Sequence, residues 1–182
     1  AEKFQAPVFV FSDLDLGMNN WMTKKFNYPD KPIERGKVLW ENDIEDMQEK
    51  WGRYLDADGD GIPYRTVLGN QHPKAAYFAR GTGHDPYAGY SEDPQVWKEM
   101  MDRLKKKYEN SKKDLPQPVI RKMENSAIGL ISMGSADHAV IEAQDMLNQQ
   151  GIPTDYLRVR ALPRSEVVDE FIKKYERIFV IE

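Results

Sequence analysis

The sequence predicts an α/β protein in which a loop-rich N-terminal region precedes a βαβαβ domain. After residue 126, short apolar runs alternate with helical patterns, which is typical of a parallel sheet with right-handed crossover connections. Before them, residues 91–113 carry the pattern of one long amphipathic helix. Residues 52–85 combine Gly, Pro and charge at a density that neither a helix nor a buried strand accommodates. A long loop with this composition is usually functional when it is ordered.

The first apolar run, PVFVFS at residues 7–12, predicts a buried strand because it is rich in β-branched and aromatic residues. Asp13 and Asp15 follow it. They stand either at the strand end where α/β sheets bind ligands or in a polar turn with an Asp cap. Residues 38–51 fit one amphipathic helix or a strand followed by a short helix, and the pattern does not separate the two.

The helix at 91–113 has Asp93 as its expected N-cap and Pro94 at its first position. Its apolar stripe recurs every four residues, at Val96, Met100, Leu104 and Tyr108. Three consecutive cations, Lys105, Lys106 and Lys107, are expected on a solvated face. The segment LPQPVI at 115–120 ends the helix and marks a domain boundary.

The βαβαβ pattern follows this boundary. Strands are expected at 127–133, 154–162 and 177–182, with helices between them. Ser135 is the expected cap of the first helix and Gly151 its stop. The expected inward residues are Ala139, Ala143, Met146 and Leu147. We therefore expect a first domain at 1–115, a linker at 116–126 and a second domain at 127–182. Because the sheet has only three predicted strands, we also expect both ends of the chain to be truncated.

Composition excludes several classes of function. The formal charge of −4 gives no electrostatic case for binding nucleic acid. With no cysteine, the 182-residue chain forms no disulfide and ligates no iron–sulfur cluster through thiolates. It has neither an apolar run of membrane-spanning length nor a signal-peptide pattern at its start. These features predict a cytoplasmic protein without a membrane partner.

The acidic segment of the loop has the opening spacing of a calcium site. Asp56, Asp58 and Asp60 alternate and are followed by Gly61, an arrangement that lets carboxylates converge on Ca²⁺ or Mg²⁺. The bidentate Glu of an EF-hand is missing, because Val67 stands at its position. The alternative is a rigid acidic turn in which Asp side chains accept from nearby backbone N–H groups.

Two further residues of the loop are candidates for ligand binding. Arg65 follows Pro63, which restricts the backbone, and a guanidinium is a natural partner for a carboxylate or phosphate. The alternative for Arg65 is an ion pair with Asp58 or Asp60. His84 lies in GTGHD among small residues that allow a close approach of a ligand. A structural hydrogen bond, with Asp85 orienting the ring, is its alternative role.

Four segments together resemble one enzyme family. They are VFSDLDLGMN at 10–19, GRYLDADGDGIPYRT at 52–66, AYFARGTGHDPYAGYSEDP at 76–94 and LISMGSADHAVIEAQDMLNQQGIPTDYLRVRALP at 130–163. In this order they resemble the alpha subunit of 2-oxoacid:ferredoxin oxidoreductases, and the 2-oxoglutarate branch most closely. The resemblance implies that residues 1–115 are the end of a pyrimidine-type thiamine-diphosphate domain with a long irregular insertion. It implies a truncated transketolase C-terminal-like domain for residues 127–182.

The resemblance also implies a reaction and its partners. Members of this family oxidatively decarboxylate a 2-oxoacid with coenzyme A and pass the electrons to ferredoxin. Thiamine diphosphate with Mg²⁺ and the iron–sulfur cluster lie mainly on a partner beta subunit, so this chain is expected to be inactive alone. Within it, Arg65 would pair with a substrate carboxylate, Asp60 would hold Arg65 or select chain length, and His84 would hydrogen-bond nearby.

A different class of function also fits the loop. In this alternative the chain is a non-catalytic module for Ca²⁺ or Mg²⁺ binding or for subunit assembly, with Asp56, Asp58 and Asp60 as the metal ligands. The sequence does not decide which 2-oxoacid, redox partner or oligomer applies.

Overall fold

The computed structural model describes residues 1–47 and 50–182, which divide into two compact units. One unit, here the loop-rich unit, comprises residues 1–8 and 28–111; the other, the α/β unit, comprises 9–27 and 112–182. The helices are α1 (Leu14–Met18), α2 (Glu41–Asp46), α3 (Pro94–Ser111), α4 (Ala136–Gln149) and α5 (Glu166–Lys174). The strands are β1 (Val119–Arg121), β2 (Ile128–Met133), β3 (Thr154–Val159) and β4 (Arg177–Ile181).

The α/β unit contains a four-stranded sheet in the order β1-β3-β2-β4. Strand β2 pairs in parallel with both β3 and β4, as the βαβαβ pattern predicts. The prediction of a purely parallel, three-stranded sheet is wrong, because β1 adds an antiparallel strand beside β3. This strand has only three residues and directly follows Pro118, so its apolar pattern is too short to stand out from the linker.

Apolar side chains cover both faces of this sheet. Because neighbouring residues of a strand point to opposite faces, Ile131 and Leu130 belong to different clusters. One cluster joins the sheet to α5 and consists of Ile131, Leu157, Val168, Phe171 and Tyr175. The other joins it to α4 and consists of Leu130, Val140 and Tyr156. The helices therefore lie on the two faces of the sheet, in a doubly covered α/β arrangement.

The inward face of α4 differs from the prediction. Val140 and Gln144 are its buried residues. Of the four predicted inward residues, Leu147 is half-buried, and Ala139, Ala143 and Met146 are exposed. The Gln144 amide donates to the backbone carbonyl of Thr154 at 2.5 Å, which lets a polar side chain be fully buried. An apolar periodicity cannot reveal a buried residue of this kind.

The start of α4 is bound by a distant side chain. Ser135 stands at the N-cap position of α4, as predicted, but it has helical backbone angles and makes no side-chain cap bond. The Asp13 carboxylate instead accepts from the Ser135 backbone N–H at 3.2 Å and from the Leu16 N–H at 2.8 Å. Trp21 stacks on His138 of α4 with 5.8 Å between ring centroids. These contacts attach residues 9–27 to the rest of the α/β unit, residues 112–182.

Residues 7–12 form no strand, so the predicted buried strand is wrong. The side chains of Val8, Phe9, Val10 and Phe11 are 64%, 75%, 93% and 90% exposed. A strand is stable only when it pairs with the edge of another strand. None of the described strands pairs with this segment, which explains why its apolar pattern produces neither a ladder nor a core.

The loop-rich unit has a small core around α2. Leu39, Ile44, Trp51 and Ala75 form it, and Tyr64 packs against it. Val38 makes an isolated parallel bridge with Arg65 just before α2. Of the two alternatives for residues 38–51, the extended segment followed by a short helix is therefore the one observed, within the described residues.

Helix α3 confirms the predicted long helix and its cap. The Asp93 carboxylate accepts from the Gln95 backbone N–H at 2.7 Å, and Pro94 is the first helical residue. Across the described ranges, no helix is both long enough and apolar enough to cross a bilayer.

Candidate functional site

The acidic loop at residues 56–61 lies directly against α3. Gly61 has φ of +85°, and a Cβ atom there would come within 2.5 Å of the Lys107 backbone nitrogen. Arg103 donates to the Gly61 carbonyl at 3.0 Å, and Asn110 donates to the Asp60 carbonyl at 2.9 Å. Glycine is thus required at position 61 both for its left-handed backbone and for the close approach. Side chains of the helix hold the loop chiefly through its backbone carbonyls, and Lys106 of α3 also lies 3.9 Å from Asp56 Oδ2.

The loop carboxylates have partners within the chain. Lys37 Nζ lies 2.7 Å from Asp58 Oδ2 and 2.8 Å from Asp60 Oδ1. Asp56 Oδ1 accepts from the Gly61 backbone N–H at 2.9 Å, which is the Asp-stabilised turn proposed as the alternative to a metal loop. Among the residues that the structure describes, no three Asp, Glu or His side chains are grouped so as to hold a metal ion. Metal binding by Asp56, Asp58 and Asp60 stays a prediction. In the structure, the Lys37 ammonium lies between the Asp58 and Asp60 carboxylates.

Lys37 also sets the charge state of this cluster. Its hydrogen bond lowers the pKa of the Asp58 carboxyl. Burial raises the pKa of Asp60, but the hydrogen bonds from Lys37 and the Ile62 N–H outweigh burial and lower it overall. Burial likewise opposes the charge of Lys37, whose pKa is nevertheless raised by Asp58 and Asp60. All three groups are therefore held in their ionised forms.

Arg65 contacts Lys37 through its backbone, because the Arg65 N–H donates to the Lys37 carbonyl at 3.0 Å. Its Nη2 pairs with the Glu2 carboxylate and donates to the Arg35 carbonyl at 3.1 Å. Within the described residues, Arg65 forms no ion pair with Asp58 or Asp60, whose carboxylates both pair with Lys37. The Arg65 Nε is buried and has no hydrogen-bond partner in the described chain.

His84 lines a separate cavity of about 370 Å³ beside α3. Its ring stacks on Tyr54 at 4.8 Å between centroids, and its Nε2 is buried without a hydrogen-bond partner among the described residues. Asp56 and Arg103 also line this cavity, whereas Asp60 and Arg65 do not. The structure therefore brings His84 together with one predicted metal ligand and not with the two other predicted substrate residues.

Sequence reasoning missed two cations at this site. Arg103 lines the His84 cavity, and Lys107, expected on a solvated face, is only 6% exposed. Burial lowers the pKa of Lys107, and the nearby Arg103 and Arg53 lower it further. Positions 96, 100, 103 and 107 follow helical spacing on one face of α3. This spacing was the signal available in the sequence. It does not by itself show that the two cations on this face are buried.

Comparisons with known proteins identify similar chains but no family model, since no known family model matches the sequence. The chain is 29% identical over 189 aligned residues to "2-oxoacid:ferredoxin oxidoreductase 2, subunit alpha" of Aeropyrum pernix. It is 28% identical over 195 residues to "2-oxoacid:ferredoxin oxidoreductase 1, subunit alpha" of the same organism. Both alignments cover the whole chain, which spans 28% of the length of each relative.

A solved structure has a similar fold. It is the 2-oxoglutarate:ferredoxin oxidoreductase from Magnetococcus marinus, determined with 2-oxoglutarate, coenzyme A and succinyl-CoA bound. The match has a TM-score of 0.64 and 24% identity, and covers 83% of this chain and 25% of that chain. The resemblance predicted from four sequence segments is thus confirmed: over its whole length, this chain is similar to alpha subunits of 2-oxoacid:ferredoxin oxidoreductases.

Proposed function

We propose that this chain is part of the alpha subunit of a cytoplasmic 2-oxoacid:ferredoxin oxidoreductase. The observation that carries the proposal is the alignment of the entire chain with two such subunits. The reaction converts a 2-oxoacid, coenzyme A and two oxidised ferredoxins into acyl-CoA, CO₂, two reduced ferredoxins and one proton. The 2-oxoacid is 2-oxoglutarate in this proposal, because the structural neighbour was solved with that compound bound.

The cofactors of such a reaction do not fit the residues of this chain. The sequence contains no cysteine for an iron–sulfur cluster. The described residues contain no group of three potential ligands that would hold a metal ion for a diphosphate. We therefore assign thiamine diphosphate, Mg²⁺ and the cluster to a partner beta subunit, with ferredoxin as the electron acceptor. On this assignment the isolated chain has no catalytic activity.

The contribution of this chain would be to bind the substrate. Two buried nitrogens, Arg65 Nε and His84 Nε2, lack hydrogen-bond partners in the described chain. Leaving such a group unpaired costs about 1–3 kcal/mol, so a ligand oxygen that reaches either nitrogen gains a hydrogen bond without displacing one. Arg65 would donate from its Nε to a substrate carboxylate, while its Nη2 keeps its pair with Glu2. Asp60, held by Lys37, would stabilise the loop that carries Arg65.

The experiment is a comparison of variants in the enzyme assembled with its partner subunits. Arg65→Ala is expected to raise the KM for 2-oxoglutarate about tenfold or more, because a hydrogen bond to a charged group contributes about 1.5–3 kcal/mol. Arg35→Ala is the matched control. This neighbouring guanidinium is 62% exposed and lies 3.9 Å from the same Glu2 carboxylate, so its removal should leave KM nearly unchanged.

Steady-state formation of succinyl-CoA, with ferredoxin reduction followed in parallel, is the measurement. Unchanged KM and kcat in Arg65→Ala would remove Arg65 from the substrate site but leave the reaction assignment intact. An assembled complex that forms no acyl-CoA from any 2-oxoacid would overturn the assignment itself.

A further inference from the structure

A second cavity of the loop-rich unit, separate from the one beside His84, has a volume of about 500 Å³. This volume lies within the range of small-molecule sites, which is about 300–1,000 Å³. Its lining combines cationic and aromatic side chains, chiefly Lys50, Arg53, Lys74, Trp51, Tyr77 and Tyr87. None of the residues proposed above for substrate binding lines it.

Among the residues that the structure describes, the three cations of this cavity have no carboxylate partner. In the part of the chain that the structure describes, no carboxylate forms an ion pair with Lys50, Arg53 or Lys74. Lys37 and Arg65, two other cations of the loop-rich unit, do have carboxylate partners. Three cations around one concave surface, without an ion-pair partner in the described ranges, produce a local positive potential that favours an anionic ligand.

Aromatic rings fix the positions of two of these cations. Lys50 Nζ lies 4.7 Å from the Tyr87 ring centroid, and Arg53 Cζ lies 5.9 Å from that of Tyr77. The Arg53 Nε also donates to the Tyr77 hydroxyl at 3.3 Å. A cation held over a ring in this way keeps its charge while losing conformational freedom before a ligand arrives.

Of the aromatic side chains of the cavity, Trp51 is held in place by its contacts, and Tyr77 and Tyr87 are partly exposed. Trp51 is buried, donates from its Nε1 to the Lys74 carbonyl at 2.8 Å and meets Tyr77 edge-on. Tyr77 and Tyr87 remain 45% and 46% exposed. Exposed aromatic rings beside cations are the combination that binds a planar base through stacking and its phosphates through charge. A simple inorganic anion would contact the cations but would not use the exposed area of the rings.

We propose that this cavity binds a nucleoside phosphate, with the base stacked on Tyr77 or Tyr87 and the phosphates held by Lys50, Arg53 and Lys74. Two sources share this chemistry: a free nucleotide such as ADP, and the nucleotide end of coenzyme A. The existence of the nucleotide site is independent of the proposed function. The assignment of coenzyme A as its source rests on that function.

Isothermal titration calorimetry of the 182-residue chain with four probes tests the proposal. The probes are ADP, coenzyme A, adenosine and tripolyphosphate. ADP should bind at least tenfold more tightly than either adenosine or tripolyphosphate, because only ADP engages both rings and cations. Coenzyme A that binds tenfold more tightly than ADP identifies coenzyme A as the source, and equal affinities identify the free nucleotide.

Variants separate this cavity from the rest of the surface. Arg53→Gln should weaken ADP binding about tenfold or more, and Tyr87→Ala should weaken it by a similar factor through lost stacking. Lys105→Gln, which removes an exposed cation of α3 outside this cavity, should leave affinity unchanged. Circular dichroism and melting of each variant establish that it is folded.

Three results would overturn the nucleotide site. They are no binding of ADP or coenzyme A at millimolar concentration, tripolyphosphate binding as tightly as ADP, and unchanged ADP affinity in both folded cavity variants. Acyl-CoA formation by the assembled enzyme at saturating coenzyme A is measured alongside. An active enzyme whose chain fails these binding tests leaves the proposed function standing and removes only the nucleotide site.

Discussion

The two compact units of the chain are stabilised in different ways. In the α/β unit, apolar clusters cover both faces of the sheet. In the loop-rich unit, one small apolar core is supplemented by polar contacts such as Arg103 to the Gly61 carbonyl and Lys37 to Asp58 and Asp60. The α/β unit depends on many interchangeable apolar contacts, and the loop-rich unit on particular donors, acceptors and glycines. The candidate binding residues all belong to the loop-rich unit.

The largest expected effect comes from the sheet. Leu157 in β3 is completely buried, so Leu157→Ala should lower the free energy of unfolding by about 2–5 kcal/mol. Urea unfolding followed by circular dichroism measures it. Met146→Ala, on the exposed face of α4, is the control and should change the free energy by about 0.5 kcal/mol or less. Equal losses in both variants would contradict the sheet core described here.

A glycine of the loop-rich unit tests the second mode of stabilisation. Gly61→Ala should cost at least about 2 kcal/mol, because a left-handed alanine costs about 1–2 kcal/mol and overpacking adds about 1–3 kcal/mol. Gly69→Ala is its control, since Gly69 also has positive φ, +95°, but nothing lies within 4 Å of its would-be Cβ. Thermal and urea unfolding should show the smaller loss for Gly69→Ala. If the two losses agree, the contact with α3 contributes nothing measurable.

A buried carboxylate sharpens the comparison, because it is a specific polar contact inside the apolar unit. Asp155 is 1% exposed and accepts from Tyr175, from Lys174 at 3.1 Å and from the Met123 N–H at 2.8 Å. Burial raises the pKa of Asp155, but these hydrogen bonds outweigh burial and lower the pKa below its ordinary value. Asp155→Asn should therefore cost about 1–3 kcal/mol near neutral pH.

The same substitution should change the pH dependence of stability. Because the folded-state pKa is lowered, the carboxylate stabilises the fold above its ordinary pKa of about 4, and this contribution is lost as pH falls through the folded value. The difference between wild type and Asp155→Asn should accordingly shrink below about pH 4. Unfolding in urea at pH 7, 4 and 3 measures it, and a constant difference across this series would refute the assigned role.

Much of the α/β unit could be predicted from the sequence. Strands β2, β3 and β4 and the helices between them follow from periodicity, because each element is long enough to repeat its pattern. Strand β1 could not be predicted, since three residues after a proline carry no period. Residues 7–12 have a strand pattern but no strand to pair with among those described. Local composition does not contain the information about a pairing partner.

The candidate site was predictable in its residue types and not in its contacts. Asp58, Asp60 and Arg65 were recognised as charged groups held in a stiff loop, and their partners Lys37 and Glu2 were missed. These partners lie 21, 23 and 63 positions away along the chain, beyond the reach of any local pattern. The cations of the proposed nucleotide cavity were missed for the same reason, because the cavity is lined by residues from two separate parts of the chain, 44–47 with 50–53 and 74–87.

The bond between Asp13 and the Ser135 N–H has a consequence for the order of folding. It joins residues 122 positions apart. The entropy lost in closing this long loop must therefore be offset by other contacts before the bond contributes any stability. The N–H group that it needs is oriented only once α4 has formed on its sheet. We therefore expect residues 9–27 to join the α/β unit in a late step and to detach from it while the sheet remains intact.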